Sequence, residues 1–331
     1  MFFALVFFMG ICSITWGILP WMGCYFAFEN LVMLSTIYYL ASKTKNFYQL
    51  ERYYLFANML ILGAFLFKCI AFRGGHFHSV SYSTVAGYLL VYSIGEYGEE
   101  GHPPENVRML KWGMFWGILG LILTTSSGAI VSTFVAMFIL VIYAKSPTLK
   151  FLALLAITIL LFAYFSGSIE WVLSILFPGK SMASITTAHG RTVIWDMIFE
   201  KAAERPILGW GYASVERILP LYCTDAHNAV VGVIGSLGYV GGVILVLGML
   251  SLIFYCLGNR SIKGMRGILA AAVCGLVNSN TSNFISAQAG LQSVSFLMVL
   301  VMAVFCKKFY DDQNHEKTFQ KIQKIESRRK T

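Results

Sequence analysis

Successive apolar runs, each close to the length that crosses a bilayer, dominate this sequence. They lie near Phe2 to Leu19, Gly23 to Ala41, Tyr54 to Phe72, Ser79 to Ile94, Met109 to Leu123, Ala129 to Ala144, Phe151 to Gly167, Gly238 to Leu257, Gly267 to Leu276 and Ile285 to Cys306. Hydrocarbon about 30 Å thick is crossed by about 20 helical residues, so the pattern predicts about ten crossings, with the fourth, fifth and ninth runs short. Lipid offers the backbone no hydrogen-bond partner, so each crossing must be a helix. The expected fold class is an all-α integral membrane protein of about ten transmembrane helices, with one long extracytoplasmic loop that contains an amphipathic helix.

Composition agrees. Of 331 residues, 57% are hydrophobic and only 12% are charged, too apolar for a water-coated globule. The seven cysteines form no CxxC pair and no zinc-spaced Cys/His cluster, and only Cys223 lies in a clearly polar segment, where a free thiol is expected. The net charge of +9 is a question of placement. With a cytoplasmic N-terminus and alternating helices, most of the 25 Lys and Arg fall on inside segments. These are the short stretches around Lys43 to Arg52, Arg108 and Lys111, Lys145 and Lys150, Arg260 to Arg266, and the tail after Cys306. That is the positive-inside pattern, so the charge reports topology and no nucleic-acid partner is expected. Both termini are then cytoplasmic. Met1 leads into apolar residues with no basic leader or cleavage site, which reads as a span rather than a signal peptide.

Four regions follow: membrane helices over 1–167, an extracytoplasmic loop over 168–237, membrane helices over 238–306, and a basic cytoplasmic tail over 307–331. The loop carries five Lys/Arg, six Asp/Glu and two His, and a connection of this length in a tight membrane protein usually has a task. Within it, Ile194, Trp195, Ile198 and Ala202 follow helical spacing from Arg191 onward. Pro206 ends that helix, and Leu208-Gly209-Trp210-Gly211-Tyr212 reads as a glycine-hinged turn. Asp225 or Asn228 can cap an apolar helix that begins at Ala229. Its first-turn N–H groups would face an anion, Arg191 can grip phosphate oxygens bidentately, and His227 can take a proton near neutral pH. Taken singly, a lone loop Arg is as readily a headgroup contact, and a His beside a cap as readily structural.

The ordered set is more specific. Gly190-Arg191 with Trp195, then Pro206-Ile207-Leu208-Gly209-Trp210-Gly211, then His227-Asn228, then Gly238-Tyr239-Val240-Gly241 resembles the signature region of the O-antigen ligase and O-antigen polymerase family. Weaker echoes upstream are Arg73-Gly74-Gly75 and Thr124-Thr125-Ser126-Ser127-Gly128. The resemblance implies a bacterial inner-membrane glycosyltransferase that moves a glycan from undecaprenyl diphosphate to an acceptor hydroxyl at the outer face, without metal or cofactor. Its expected partners are a polyprenyl-diphosphate-linked glycan donor, a glycan or lipid-linked sugar acceptor, and the bilayer. Carried over by motif, Arg191 becomes a diphosphate ligand and His227 the general base. Trp195 and Asn228 are further candidate substrate contacts, and Ser126 and Ser127 either donate hydrogen bonds to an anion or pack at a helix break. Many relatives place Arg where this chain has Ser127, so Arg73 is the substitute second cation. A repeat-unit polymerase is the close alternative, and a lipid-linked glycan flippase or transporter the alternative from another class.

Remaining polar features stay open at this stage. Glu29 and Lys68 are able to pair near the outer ends of their helices. Asn278 to Asn283 can line a groove or form a short loop. Gly232, Gly235, Gly238 and Gly241 share one helix face and suit close packing. His76, His78, His102, His189 and His315 have no spacing that implies metal ligation.

Overall fold

The structure is a computed structural model that describes residues 1–71, 79–97, 99, 101–124, 126–143, 191–219, 225–285 and 288–329. Outside the described residues lie Arg73, His76, His78, Thr125, Lys145, Lys150, the seventh apolar run, positions 168–190 and Cys223. All regular structure among the described residues is helical. The helices are α1 (Phe2–Cys12), α2 (Pro20–Ser42), α3 (Phe47–Ala71), α4 (Ser79–Tyr97), α5 (Pro104–Thr124), α6 (Ser127–Tyr143), α7 (Arg191–Glu204), α8 (Val215–Ile218), α9 (Ala229–Gly258), α10 (Met265–Asn278) and α11 (Leu291–Arg329).

Local chemistry sets several of these boundaries. Pro20 and Pro104 each open a helix at a position whose N–H has no intrahelical partner. The first apolar run is not one continuous helix, because α1 gives way to a 3-10 turn over Ser13–Thr15. There the Ser13 hydroxyl donates to Gly10 O at 2.6 Å and accepts the Tyr212 N–H at 3.0 Å, so an inserted tyrosine stands where the helix would continue. Similarly, α11 starts at Leu291 rather than Ile285, after a non-helical segment.

Among the described residues, four helices are long and apolar enough to cross a membrane: Phe47–Cys69, Pro104–Thr124, Ala229–Gly258 and Leu291–Gln320. The expected count of ten extends beyond the described residues. Short runs have a physical reason here. Every residue from Val85 to Tyr92 of α4 is buried or a glycine facing neighbours, and α10 is buried over Gly267–Ala272. These are central helices enclosed by protein on all sides, which need neither a lipid-facing stripe nor full apolar length. Glycines permit the close approach: a Cβ on Gly117 would lie 2.7 Å from Leu90 Cβ, and one on Gly95 would lie 2.8 Å from Gly267 Cα.

Alternation of the helices gives the bundle two ends. One carries the N-termini of α4 and α9, the C-terminus of α10 and the surface helices α7 and α8. The other carries the start of α3, the α4–α5 connection and the start of α10.

Candidate functional site

The expected amphipathic helix is present as α7, and its apolar stripe is what seats it. Ile198 is fully buried against Val215, Leu219, Ala226 and Val231, with Ile194 and Trp195 packed at the edge, and Ala202 is fully buried as well. The Trp195 indole N–H donates to Ala226 O at 2.9 Å, fixing the backbone one residue before His227. The ring thus holds the histidine segment rather than serving only as a neighbour of Arg191.

At the start of α9 the cap is Asn228, not Asp225. Its Oδ1 accepts the N–H groups of Val230 at 2.9 Å and Val231 at 3.1 Å, consistent with an extended φ of −154°. The residue before it, His227, has φ +48°, a left-handed conformation uncommon for a side-chain-bearing residue and informative when found beside a cleft. This turn frees Asp225 for a different contact, its Oδ2 lying 3.3 Å from His227 Nδ1.

Arg191, Asp225 and His227 line one cavity of about 170 Å³, 13 residues in all. Sequence separates Arg191 from His227 by a turn, a short helix and a loop, and the fold brings them to one wall. Burial lowers the Arg191 guanidinium from its ordinary range, and the Asp225 carboxylate opposes that shift; a guanidinium so placed remains a cation at neutral pH. The facing wall comes from Val80 and Ser81 of α4, the segment after α10, and the start of α11. It is internally braced. Gln292 accepts the Ser282 hydroxyl at 2.6 Å and donates to Ser81 Oγ at 3.1 Å, while Ser293 donates to Phe284 O at 2.6 Å. The polar run therefore divides by role: Thr281, Ser282 and Asn283 line the cleft, whereas Asn278 donates to Thr84 Oγ1 at 2.8 Å and ties α10 to α4. A further bond ties the start of α9 to the end of α10, from Ala229 N–H to Ser279 O at 2.8 Å.

The glycine turn supports the same site from behind. α9 is kinked at Gly238 (φ 69°, ψ −175°), and the exposed backbone there pairs with the turn: Gly211 N–H with Ser236 O at 2.7 Å, and Tyr239 N–H with Pro206 O at 2.8 Å. A Cβ on Gly209 would meet Gly238 N, and one on Gly211 would lie 2.5 Å from Gly17 Cα. Tyr212 is 1% exposed. Its hydroxyl donates to Ile285 O, joining α1, α2 and the cleft-bearing segment. The Gly238 expectation of close packing holds, but the partner is a turn.

Other candidates fall as follows. Ser126 and Ser127 sit at the break between α5 and α6, where Ser126 O accepts the Ile130 N–H at 3.0 Å. The next residue abuts the cleft wall, since a Cβ on Gly128 would collide with Thr281. The Glu29 carboxylate accepts the Ala289 N–H at 3.2 Å. Arg73 lies outside the described residues. Two contributors escaped sequence reasoning: Asp225 as a partner of His227, because an Asp there also reads as a helix cap, and Gln292, one glutamine at the start of an apolar run.

Residues 112–246 match the model of a family described as O-antigen ligase. The match supports the resemblance carried by the motifs and takes in Arg191, Trp195, the glycine turn, His227, Asn228 and Gly238. No curated protein matches the chain.

Proposed function

From the O-antigen ligase match and the cleft that gathers Arg191, Asp225 and His227, we propose that the chain is a membrane glycosyltransferase of the ligase type. It moves a glycan from undecaprenyl diphosphate to the hydroxyl of a glycan or lipid-linked sugar acceptor, with the cleft at the outer face of the cytoplasmic membrane. The observation that carries the reading is the convergence of a cation suited to diphosphate with an imidazole paired to a carboxylate.

The chemistry follows from those groups. The acceptor oxygen attacks the anomeric carbon, its proton passes to His227, and the bond from that carbon to the diphosphate oxygen breaks. Negative charge then grows on the departing lipid diphosphate, where the Arg191 guanidinium stabilises it through two charge-assisted hydrogen bonds. Asp225 holds the imidazole in one orientation and stabilises the imidazolium that forms. Arg191 supplies the positive charge, so the step is written without a metal ion. Ser126, Ser127 and Asn228, outside the cleft lining, are retained as candidate substrate contacts, and Arg73 as the candidate second cation.

The test is transfer by purified protein from undecaprenyl-diphosphate glycan to a supplied acceptor. Arg191→Ala and His227→Ala, with helicity unchanged by circular dichroism, are each expected to lower kcat by about 100-fold or more. Wild-type rates in either variant would remove that residue from the mechanism. Envelope glycans of a deletion strain separate ligase from polymerase: ligase loss leaves long polymer on the carrier, polymerase loss leaves single units attached.

A further inference from the structure

At the end of the bundle away from the cleft, the fold buries a second group of ionisable residues that the transfer chemistry does not use. Glu51 comes from the start of α3, Glu96 from the end of α4, and His102 from the segment leading into α5. Both glutamates are fully buried and the His102 side chain is 2% exposed. Glu51 accepts the Tyr92 hydroxyl at 2.9 Å and the Asn106 side-chain amide. Glu96 Oε1 accepts the Gly267 N–H at 2.7 Å. Glu96 Oε2 has no hydrogen-bond partner, nor does either ring nitrogen of His102, nor the amide oxygen of Asn106.

We propose that Glu51, Glu96 and His102 form a divalent-cation site of the zinc class. One ligand atom from each of the three residues lies within 4.8 Å of the other two. The spacing argues for an ion rather than a proton. His102 Nδ1 is 3.4 Å from Glu51 Oε2, and Nε2 is 3.6 Å from Glu96 Oε2. A charged hydrogen bond would close to about 2.7–2.9 Å. Two ligands bonded at about 2.1 Å to one tetrahedral ion stand about 3.4 Å apart; one ring nitrogen serves one ion, so the match holds for one imidazole–carboxylate pair, and the other carboxylate joins it within the 4.8 Å group. Charge argues the same way, because an imidazolium at His102 would balance only one of the two buried carboxylates, whereas a divalent cation balances both. The nearby Arg52 and Arg266 are engaged elsewhere, with Glu105 and Glu99. A mixed nitrogen and oxygen donor set without thiolate suits zinc or a similar first-row cation.

The ion would tie α3, α4 and the α4–α5 connection together, and through Glu96 would brace the start of α10. It is not part of the transfer reaction. Glu96 and the cleft residue Ser81 are fifteen residues apart on one helix, about 22 Å at 1.5 Å per residue. The proposal therefore stands or falls independently of the assignment of Arg191 and His227.

Tag-free protein in detergent, stripped with chelator, desalted and reloaded with zinc, tests it by elemental analysis and thermal unfolding. Wild type and His227→Ala are expected to retain about one zinc per chain and to melt at higher temperature with zinc. His102→Gln and Glu96→Gln, which conserve volume, should bind at least about ten-fold more weakly and show no zinc-dependent shift. X-ray absorption at the zinc edge of the loaded wild type adds a measurement that needs no variant to fold. It should give nitrogen and oxygen neighbours that include one imidazole. Failure of folded, stripped wild type to take up zinc, retention of full binding by His102→Gln, or sulfur in the first coordination shell would each overturn the proposal.

Discussion

The Asp225 carboxylate acts on two functional candidates, lying 3.3 Å from His227 Nδ1 and opposing through its charge the effect of burial on Arg191. A carboxylate on one imidazole nitrogen fixes the tautomer that leaves the other nitrogen available as a base. Asp225→Asn keeps the side-chain shape but removes the charge, so kcat is expected to fall by about 100-fold while KM for the lipid-linked donor changes little. Loss of active protein would also lower apparent kcat at unchanged KM, so the structural role is separated by the folded fraction, read from thermal melting, and by a changed pH dependence of kcat, which only a catalytic role produces. Arg191 and His227 were legible in the sequence because a guanidinium and an imidazole in a polar loop of an apolar chain stand out. Their meeting was not legible, because it depends on one indole N–H reaching Ala226 O and on a left-handed His227. Neither fact has a local sequence signal beyond the Asn228 cap.

Element by element, the kink in α9 decides whether the site assembles. Gly238 has a backbone conformation open essentially to glycine alone, and a Cβ there would strike Ile207 O and lie 2.7 Å from Pro206 O. Both obstacles are main-chain atoms of the turn that the kink binds, so neither moves without unseating Tyr212 and the N-terminal helices. Gly238→Ala is expected to cost about 1–3 kcal/mol in backbone strain with the steric conflict added, read as a lower melting temperature in detergent. Gly258→Ala is the control, because nothing lies within 4 Å of a Cβ at that position. The sequence made the turn and the helix visible separately, through Pro206 and the spaced glycines. What it concealed was that these two motifs bind each other, since spacing three on a helix reads equally as a seat for another helix. The break at Ser13 was hidden for a related reason: the residue that interrupts the apolar run, Tyr212, is distant in the chain.

For the whole molecule, hydropathy identified the helices better than their surroundings. An apolar run reads the same whether it faces lipid, as exposed Ile122 and Phe254 do, or protein, as Val85 to Tyr92 does, so sequence counted segments without separating shell from centre. Lys and Arg placement bears on a question that hydropathy leaves open, namely which end would face the cytoplasm. The bundle is consistent with that assignment in one respect: Lys43, Lys45, Arg52, Arg260 and Arg266 gather at the end opposite Arg191 and His227. The positive-inside tendency favours a cytoplasmic placement of that basic end, and the donor chemistry proposed here requires the cleft to open on the other side. Single cysteines in a background without native ones test it in intact cells. Ile207→Cys, in the exposed turn beside the kink, is expected to react with a membrane-impermeant maleimide from outside. Lys45→Cys, at the exposed start of the α2–α3 connection, is expected to react only after permeabilisation. The reverse pattern would put Arg191 and His227 on the cytoplasmic side and rule out transfer at the outer face, whatever the activity of the purified protein.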